Sequence, residues 1–212
     1  MNPLKKWHYE CLANDMVKIL TKKHYNALYA QTAEEAKQMV LDMIEEGASV
    51  AVGGSVTVND MGLVDEFRKP KYKFFERFNQ PSFEAVVEVY RQSFLADYLV
   101  TSTNAITKNG ELVNMDCTGN RVGGMMLGPK KVIVIAGANK IVDNIEDAIK
   151  RIKEMAPMNA KRINHKTPCA KTGKCEDCDC EGRICNYTTI IHNGHKFKDR
   201  ITVIIVPDEL GL

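Results

Sequence analysis

The amino-acid sequence predicts an α/β fold built on a mostly parallel sheet with helices on its faces. Short β-branched and aliphatic runs alternate with stretches whose apolar residues recur at helical spacing, an order typical of parallel sheets. The apolar runs 98–103 and 132–136 have the composition of buried strands. At 212 residues and 44% hydrophobic content, the chain is long enough to form one domain with a substantial core.

Helices are predicted where apolar spacing and start signals agree. Thr32 followed by Glu35 is a capping box, and Gly47 marks the end of the helix that this box begins. Pro81 is a favourable first residue for a later helix. The predicted helices are 5–23, 32–46, 55–67, 83–94 and 144–155, with a glycine-rich turn or short helix at 120–127.

Strands are predicted at 26–31, 49–52, 71–78, 98–103, 111–114, 132–136, 188–192 and 201–206. The turn signal Asn193-Gly194 lies between the last two, so we expect them to form an antiparallel pair at the C-terminal edge of the sheet. The domain prediction is a single unit over 1–212. It includes the N-terminal helix and a Cys-rich insertion at 167–187.

Composition excludes several classes of protein. The net charge is +2 and the basic residues are dispersed, which argues against a dedicated nucleic-acid binder. No apolar run approaches the roughly 20 residues that span a bilayer. The basic N-terminus is not followed by the apolar segment of a secretory signal, so we expect a cytoplasmic protein without a membrane partner. Seven cysteines, an odd number, indicate thiols or metal ligands rather than a disulfide framework.

The first candidate site is the loop between the strand at 49–52 and the following helix. Glycines allow close backbone approach, and a helix N-terminus provides free N–H groups, so the loop is a candidate seat for an anionic group. The alternative is a tight turn in which Ser55 only caps the helix. The residues concerned are Gly53, Gly54, Ser55 and Thr57.

The second candidate site is the polar stretch around the central strands. Arg121 suits a carboxylate or phosphate, Asp116 is a candidate general base, and Lys140 adds a positive charge beyond the strand at 132–136. Because ligands bind at the carboxyl ends of parallel strands, we expect a ligand site here, although turns alone would also use such residues. The candidate ligand-binding amides are Asn104, Asn114 and Asn120.

The third candidate site is a segment with five cysteines between 169 and 185 and no apolar periodicity of its own. Thiolates at this spacing can converge on one ion or cluster, and metal binding would supply ordering energy. Zinc and an iron–sulfur cluster are both compatible, and the alternative is a loop of free thiols. The predicted ligands are Cys169, Cys175, Cys178 and Cys185, with Cys180 as a spare.

The segments VAVGGSVT, TSTNAITKNGELVNMDCTGNRV, GPKKVIVIAGANKIV and PCAKTGKCEDC…ICN together cover much of the chain, which resembles the lactate-utilization (LUD) domain family. That family is similar to a larger group that contains ribose-phosphate isomerases, glucosamine-phosphate deaminases and coenzyme A transferases. The resemblance implies a Rossmann-like sheet with its site at the strand ends. Where the isomerase branch has an acid and a lysine, this chain has Asn104 and Met115, which weakens the case for isomerase chemistry.

The resemblance implies a role in the utilization of lactate or a related 2-hydroxy acid, as a component of an oxidoreductase system. The leading hypothesis combines a small anionic ligand at the strand-end loops with the Cys-ligated metal centre and an iron–sulfur redox partner protein. A sugar-phosphate isomerase or transferase is one alternative, and a non-catalytic metabolite-binding subunit is another. A homo-oligomer is compatible with the sequence.

Overall fold

The computed structural model describes residues 1–212 and has the predicted α/β fold. A six-stranded parallel sheet runs in the order β1-β10-β7-β4-β2-β3, and a second sheet has the order β8-β5-β6-β9. The strands are β1 (Asn26–Tyr29), β2 (Ser49–Val52), β3 (Lys73–Phe74), β4 (Tyr98–Thr101), β5 (Ala105–Thr107), β6 (Leu112–Asp116), β7 (Lys131–Gly137), β8 (Ile141–Val142), β9 (Tyr187–Ile191) and β10 (Ile201–Val206).

Polar N-caps start most of the helices at the predicted places. Thr32 accepts a hydrogen bond from the Glu35 backbone N–H at 3.1 Å, and Asn144 accepts one from Asp147 at 2.9 Å. The helices are α1 (Pro3–Lys22), α2 (Ala33–Met43), α3 (Val56–Asp60), α4 (Leu63–Phe67), α5 (Phe83–Ser93), α6 (Asn120–Met126), α7 (Ile145–Arg162) and α8 (Pro168–Thr172). None of them combines the length and the apolar character needed to cross a membrane.

The parallel sheet divides the core into two layers because successive residues of a strand point to opposite faces. Val100 of β4 and Ile133 of β7 face a cluster that includes residues of α2, α3 and α4. Their neighbours Leu99 and Val132 face a second cluster that includes residues of α1 and α6. The sheet is therefore covered on both faces, as a parallel sheet requires.

The small second sheet carries α7. Ala105 of β5 and Val113 of β6 pack against Ala148 and Ile152 of this helix in a separate buried cluster. The chain passes from β4 of the large sheet directly into β5 of the small one, and from β7 through a short 3-10 turn, Ala138–Lys140, into β8. The two sheets therefore meet where β4 and β7 end.

The predicted antiparallel pair at the C-terminus is wrong. Both strands exist, but β9 pairs with β6 in the small sheet, whereas β10 lies between β1 and β7 and is parallel to both. All six residues of β10 are buried. An apolar run of this composition is typical of a central parallel strand, and the local turn signal did not reveal its distant partners.

Other predicted boundaries also shift. Gly62, with φ 67°, divides the predicted 55–67 helix into α3 and α4. The predicted strand at 71–78 shortens to the two residues of β3, and α7 continues past Met155 to Arg162 with Pro157 inside it. The strands β5 and β8 were not predicted, since each has only three or two residues.

Asp97, just before β4, connects two strands of the large sheet at their starts. Its carboxylate accepts hydrogen bonds from the backbone N–H and hydroxyl of Ser49, at 2.9 and 2.6 Å, and pairs with Lys130 at 2.7 Å. The hydrogen bond from Lys130, followed by those from Ser49, holds the pKa of Asp97 well below its usual range.

We expect Asp97→Asn to lower the free energy of unfolding by about 1.5–3 kcal/mol at neutral pH, because hydrogen bonds to a charged group are lost. Since the folded-state pKa is depressed, this contribution is present above about pH 4 and is lost as the pH falls further. Urea unfolding of wild type and variant at several pH values measures it. Asp15→Asn, on an exposed ion pair with Lys18, is the control and should change little. An equal loss at acid and neutral pH would contradict the prediction.

Candidate functional site

A cavity of about 780 Å³ lies where the two sheets meet. The loops after β2 and β4 and the turn after β7 form its floor, and α7 forms one wall. The segment between α8 and β9 forms another wall with Glu181–Asn186. The volume is in the range of small-molecule sites, and the carboxyl ends of parallel strands are where such sites occur. This agrees with the predicted place.

The cavity carries an excess of positive charge. Six Lys or Arg side chains line it but only two carboxylates, those of Asp116 and Glu181. Two of the cations are neutralised by close acids, since Arg121 pairs with Asp116 and Arg183 with Asp177. The other four form no ion pair within 4 Å. These unpaired cations are Arg77, Lys140, Arg151 and Arg162.

Lys140 is the most deeply buried of them, with a residue exposure of 4%. Its Nζ donates to the hydroxyls of Thr57 at 3.0 Å and Ser102 at 2.9 Å, so both partners are neutral. Burial, together with the nearby charges of Arg151 and Arg121, lowers the pKa of Lys140 to about 7, although Asp60 acts in the opposite direction. A neutral amine is therefore accessible near neutral pH.

Arg77 follows β3, the edge strand of the large sheet, and its side chain lines the cavity. Its guanidinium lies over the rings of Phe78 and Tyr90, at 4.3 and 5.9 Å from their centroids. One terminal nitrogen donates to the Tyr90 hydroxyl at 3.2 Å, but the buried Nε has no hydrogen-bond partner. A buried donor without a partner is uncommon, so the protein satisfies this guanidinium only in part.

Arg151 and Arg162 lie on α7. Arg151 donates to the backbone carbonyls of Asn139 and Asn104, at 3.2 and 2.7 Å, which fixes its position over the junction of the two sheets. Arg162 donates to the Asn159 side chain. Burial lowers the pKa of both arginines, and Arg77 adds to this effect at Arg162. Neutral acceptors hold them in place and leave their charge uncompensated.

The predicted ligand residue Arg121 and the predicted base Asp116 bind each other. Both are buried, and the Asp116 carboxylate also accepts the backbone N–H of Val122 at 3.0 Å. Arg121 donates further to the Asn104 side chain at 2.7 Å and to the Met115 carbonyl at 3.0 Å. This geometry links β6 to the start of α6 and uses the donors and acceptors that a ligand would need. It favours a structural role for both side chains.

The three predicted amides lie in different environments. Asn104 and Asn120 line the cavity, but the fully buried Asn114 does not. Asn114 accepts the backbone N–H of Asn104 at 3.0 Å, and Asn104 accepts that of Met115 at 2.9 Å. These reciprocal bonds clamp the loop after β4 onto β6.

The glycine loop after β2 contributes part of the cavity floor. Gly54, Ser55 and Thr57 line the cavity, whereas Gly53 is packed so closely that a Cβ there would lie 2.3 Å from Thr101 Oγ1. The Ser55 hydroxyl accepts the Val58 backbone N–H at 3.2 Å, so Ser55 caps α3 as the alternative interpretation expected. The Thr57 hydroxyl contributes to the site by accepting the hydrogen bond from Lys140 Nζ.

The Cys-rich segment adjoins the cavity, with Cys185 in its wall. The Cys178 and Cys180 sulfurs are 3.6 Å apart, so the cysteine predicted as a spare contacts one of the predicted ligands. Burial raises the pKa of Cys185 to about 11, and neighbouring Cys175 contributes. No three His, Cys, Asp or Glu side chains are arranged so that they could hold a metal ion, so the predicted four-cysteine set is not assembled in this geometry. The donor set itself, thiols without a disulfide, fits a soft metal.

Four cavity arginines were not predicted from the sequence: Arg77, Arg151, Arg162 and Arg183. Isolated cations in amphipathic segments look like a solvated face, and nothing local marks them as cavity residues. The one available signal was Arg151, which lies one position before the buried Ile152 of α7.

The sequence model of the LUD domain family matches residues 13–206, which is most of the chain. The chain belongs to the LUD domain family. A comparison with curated proteins found no match. This LUD domain is similar in structure to a DUF162 family protein from Deinococcus radiodurans, with a TM-score of 0.51 and 11% sequence identity over 93% of this chain and 97% of that one. That likeness concerns the fold.

Two further solved structures share weaker similarity with the LUD domain. The eIF2B beta protein from Chaetomium thermophilum has a TM-score of 0.36 and 12% identity over 54% of this chain and 44% of its own. A D-ribose-5-phosphate isomerase in complex with phospho-erythronic acid has a TM-score of 0.32 and 16% identity over 60% of this chain and 66% of its own.

Proposed function

We propose that this LUD domain binds a small carboxylate of the 2-hydroxy acid class, such as lactate, in the cavity between its two sheets. Membership of the LUD domain family supports a function related to lactate utilization. The observation that carries the proposal is the set of four basic side chains without an acidic partner around one cavity. A buried cation is costly without a counter-charge, and a bound anion provides one.

The side chains offer different contacts to such a ligand. Arg77 and Arg151 line the cavity and provide guanidinium donors, which match the planar carboxylate. The Ser102 and Thr57 hydroxyls and the Asn104 amide lie at the strand-end floor and are suited to a ligand hydroxyl. Charge would thus hold the ligand and the polar floor would orient it.

Calorimetric titration of L-lactate, pyruvate, ribose 5-phosphate and an acyl-coenzyme A tests the proposal. We expect lactate or pyruvate to bind, and Arg77→Gln and Arg151→Gln each to weaken the binding by roughly tenfold or more, because each removes a charge-assisted hydrogen bond. Arg91→Gln is the matched control, since Arg91 is an exposed arginine paired only with Glu88.

The ligand panel also separates the alternatives. Preference for ribose 5-phosphate or acyl-coenzyme A would overturn the 2-hydroxy acid proposal in favour of a sugar-phosphate isomerase or transferase. Lactate binding without turnover, with and without redox partner proteins, would favour a metabolite-binding subunit. Equal affinity of wild type and both cavity variants would place the ligand elsewhere.

We also propose that the Cys-rich segment holds a metal centre, zinc or an iron–sulfur cluster, beside the ligand. Five thiols lie in a segment that contributes only two residues, Cys169 and Ile184, to a small buried cluster completed by Ala160 of α7. Metal binding would order such a segment. The residues that would hold the metal are Cys169, Cys175, Cys178 and Cys185, with Cys180 in reserve. A cluster would supply electron transfer to an iron–sulfur partner protein, and zinc would supply structure.

Metal analysis with absorption and EPR spectra on protein purified without oxygen tests this second proposal. Stoichiometric iron and sulfide, or stoichiometric zinc, would support it, and Cys175→Ser should then lower the metal content, whereas Cys11→Ser on the exposed face of α1 should not. Protein that contains no metal after expression in supplemented medium would contradict the proposal.

A further inference from the structure

The amine of Lys140 has no function in the proposal above beyond its charge. It lies on the cavity wall directly after β7, with its Nζ held between the Thr57 and Ser102 hydroxyls. No carboxylate pairs with it within 4 Å. A buried lysine placed among other cations is an arrangement that produces a nucleophilic, neutral amine.

We infer that Lys140 forms an imine with the carbonyl carbon of a bound 2-oxo acid, such as pyruvate. The inference rests on the proposed function and specifies the ligand as the oxidised partner of the 2-hydroxy acid. Arg151, whose guanidinium donates to the Asn104 and Asn139 carbonyls, is the cation that would hold the adjacent carboxylate. The same cavity thus presents a nucleophile and a carboxylate receptor to neighbouring atoms of one molecule.

The chemical step balances without an oxidant. The Nζ lone pair of neutral Lys140 attacks the carbonyl carbon, a C–N bond forms, and the C–O bond breaks as the oxygen leaves as water. Both hydrogens of that water come from the amine. The Thr57 and Ser102 hydroxyls, each within hydrogen-bond distance of Nζ, are placed to carry the protons from nitrogen to the departing oxygen.

Charges from three elements act on the amine. Arg121 of α6 and Arg151 of α7 oppose its protonation, and Asp60 of α3 favours it, but burial is the largest influence. These effects lower the pKa of Lys140 to about 7. The neutral amine is therefore available under physiological conditions, whereas an exposed lysine is almost fully protonated there.

Sodium borohydride treatment of the intact protein with pyruvate tests the inference. Reduction would fix the imine as a secondary amine, which raises the mass by pyruvate minus water plus two hydrogens, and peptide mapping should place it on Lys140. We expect Lys140→Met and Lys140→Arg to lose the adduct. Circular dichroism is the control that tests whether both variants are folded. The yield should rise from about pH 6 to about pH 8 and then level off.

Several outcomes would overturn the inference. Adducts spread equally over exposed lysines, or a yield that keeps rising to about pH 10, would show that Lys140 is not a special nucleophile. Calorimetric binding of pyruvate without any adduct would overturn the imine and leave the proposed function intact. If neither lactate nor pyruvate binds and no adduct forms, both the inference and the proposed function are overturned.

Discussion

Lys140→Met is expected to make the protein more stable and at the same time to abolish formation of the imine with pyruvate. The wild-type amine is buried beside two hydroxyls and two guanidiniums, with a pKa lowered to about 7. Methionine has a similar volume and no charge to desolvate. We expect the free energy of unfolding to rise by about 2–4 kcal/mol at pH 7, after allowance for the two hydrogen bonds that are lost.

The gain should depend on pH in a defined direction. Between about pH 7 and pH 10.5 the unfolded lysine holds a proton that the folded one lacks, so wild-type stability gains from this group as the pH rises. The advantage of the variant is therefore largest near pH 7 and smallest near pH 10. Urea unfolding of both proteins over this range measures it.

Lys196→Met is the matched control, because Lys196 is exposed in the loop before β10 and its replacement should be nearly neutral. A Lys140→Met protein that is less stable than wild type at pH 7 would contradict the prediction. It would show that the contacts to Thr57 and Ser102 outweigh the cost of burying the amine.

Arg121→Ala is expected to be among the most destabilising single changes in the chain. It leaves the Asp116 carboxylate buried without its cation and removes the bonds to Asn104 and the Met115 carbonyl. Breaking a buried pair from one side costs about 3–5 kcal/mol. Thermal and urea unfolding measure the loss. Arg121 is consequently a poor probe of ligand binding, which is why Arg77 and Arg151 are preferred for that purpose.

Two comparisons make this prediction specific. Lys18→Ala breaks an exposed pair with Asp15 and should cost no more than about 1 kcal/mol. The double variant Asp116→Asn with Arg121→Met leaves no buried charge and should recover part of the stability that Arg121→Ala loses. An Arg121→Ala protein as stable as Lys18→Ala would contradict the structural role.

The sequence was most informative where local signals and the fold agree. The apolar runs of β2, β4 and β7 and the cap at Thr32 predicted their elements because burial and backbone hydrogen bonding act within a few residues. The partner of β10 was missed since pairing in a parallel sheet is decided by distant strands.

The cavity lies at the strand ends, where the ligand site was predicted, but the roles of the residues around it were harder to assign. Asp116 and Arg121 are polar and close in sequence, which made them look like ligand residues, yet their proximity also lets them satisfy each other. Lys140 was predicted only as an added charge, because its lowered pKa arises from burial that no local pattern records. Arg77 reaches the site from a segment with no regular pattern.

The position of β10 has a consequence for how the chain folds. Its residues 201–206 separate β1, near residue 26, from β7, near residue 131, so neither neighbour has its full complement of backbone partners until this late strand is in place. Contacts between residues so far apart in sequence raise the contact order and slow folding. During synthesis the edges of β1 and β7 would stay unpaired until β10 has been made and inserts between them. Unpaired strand edges are sites for chaperone binding or aggregation.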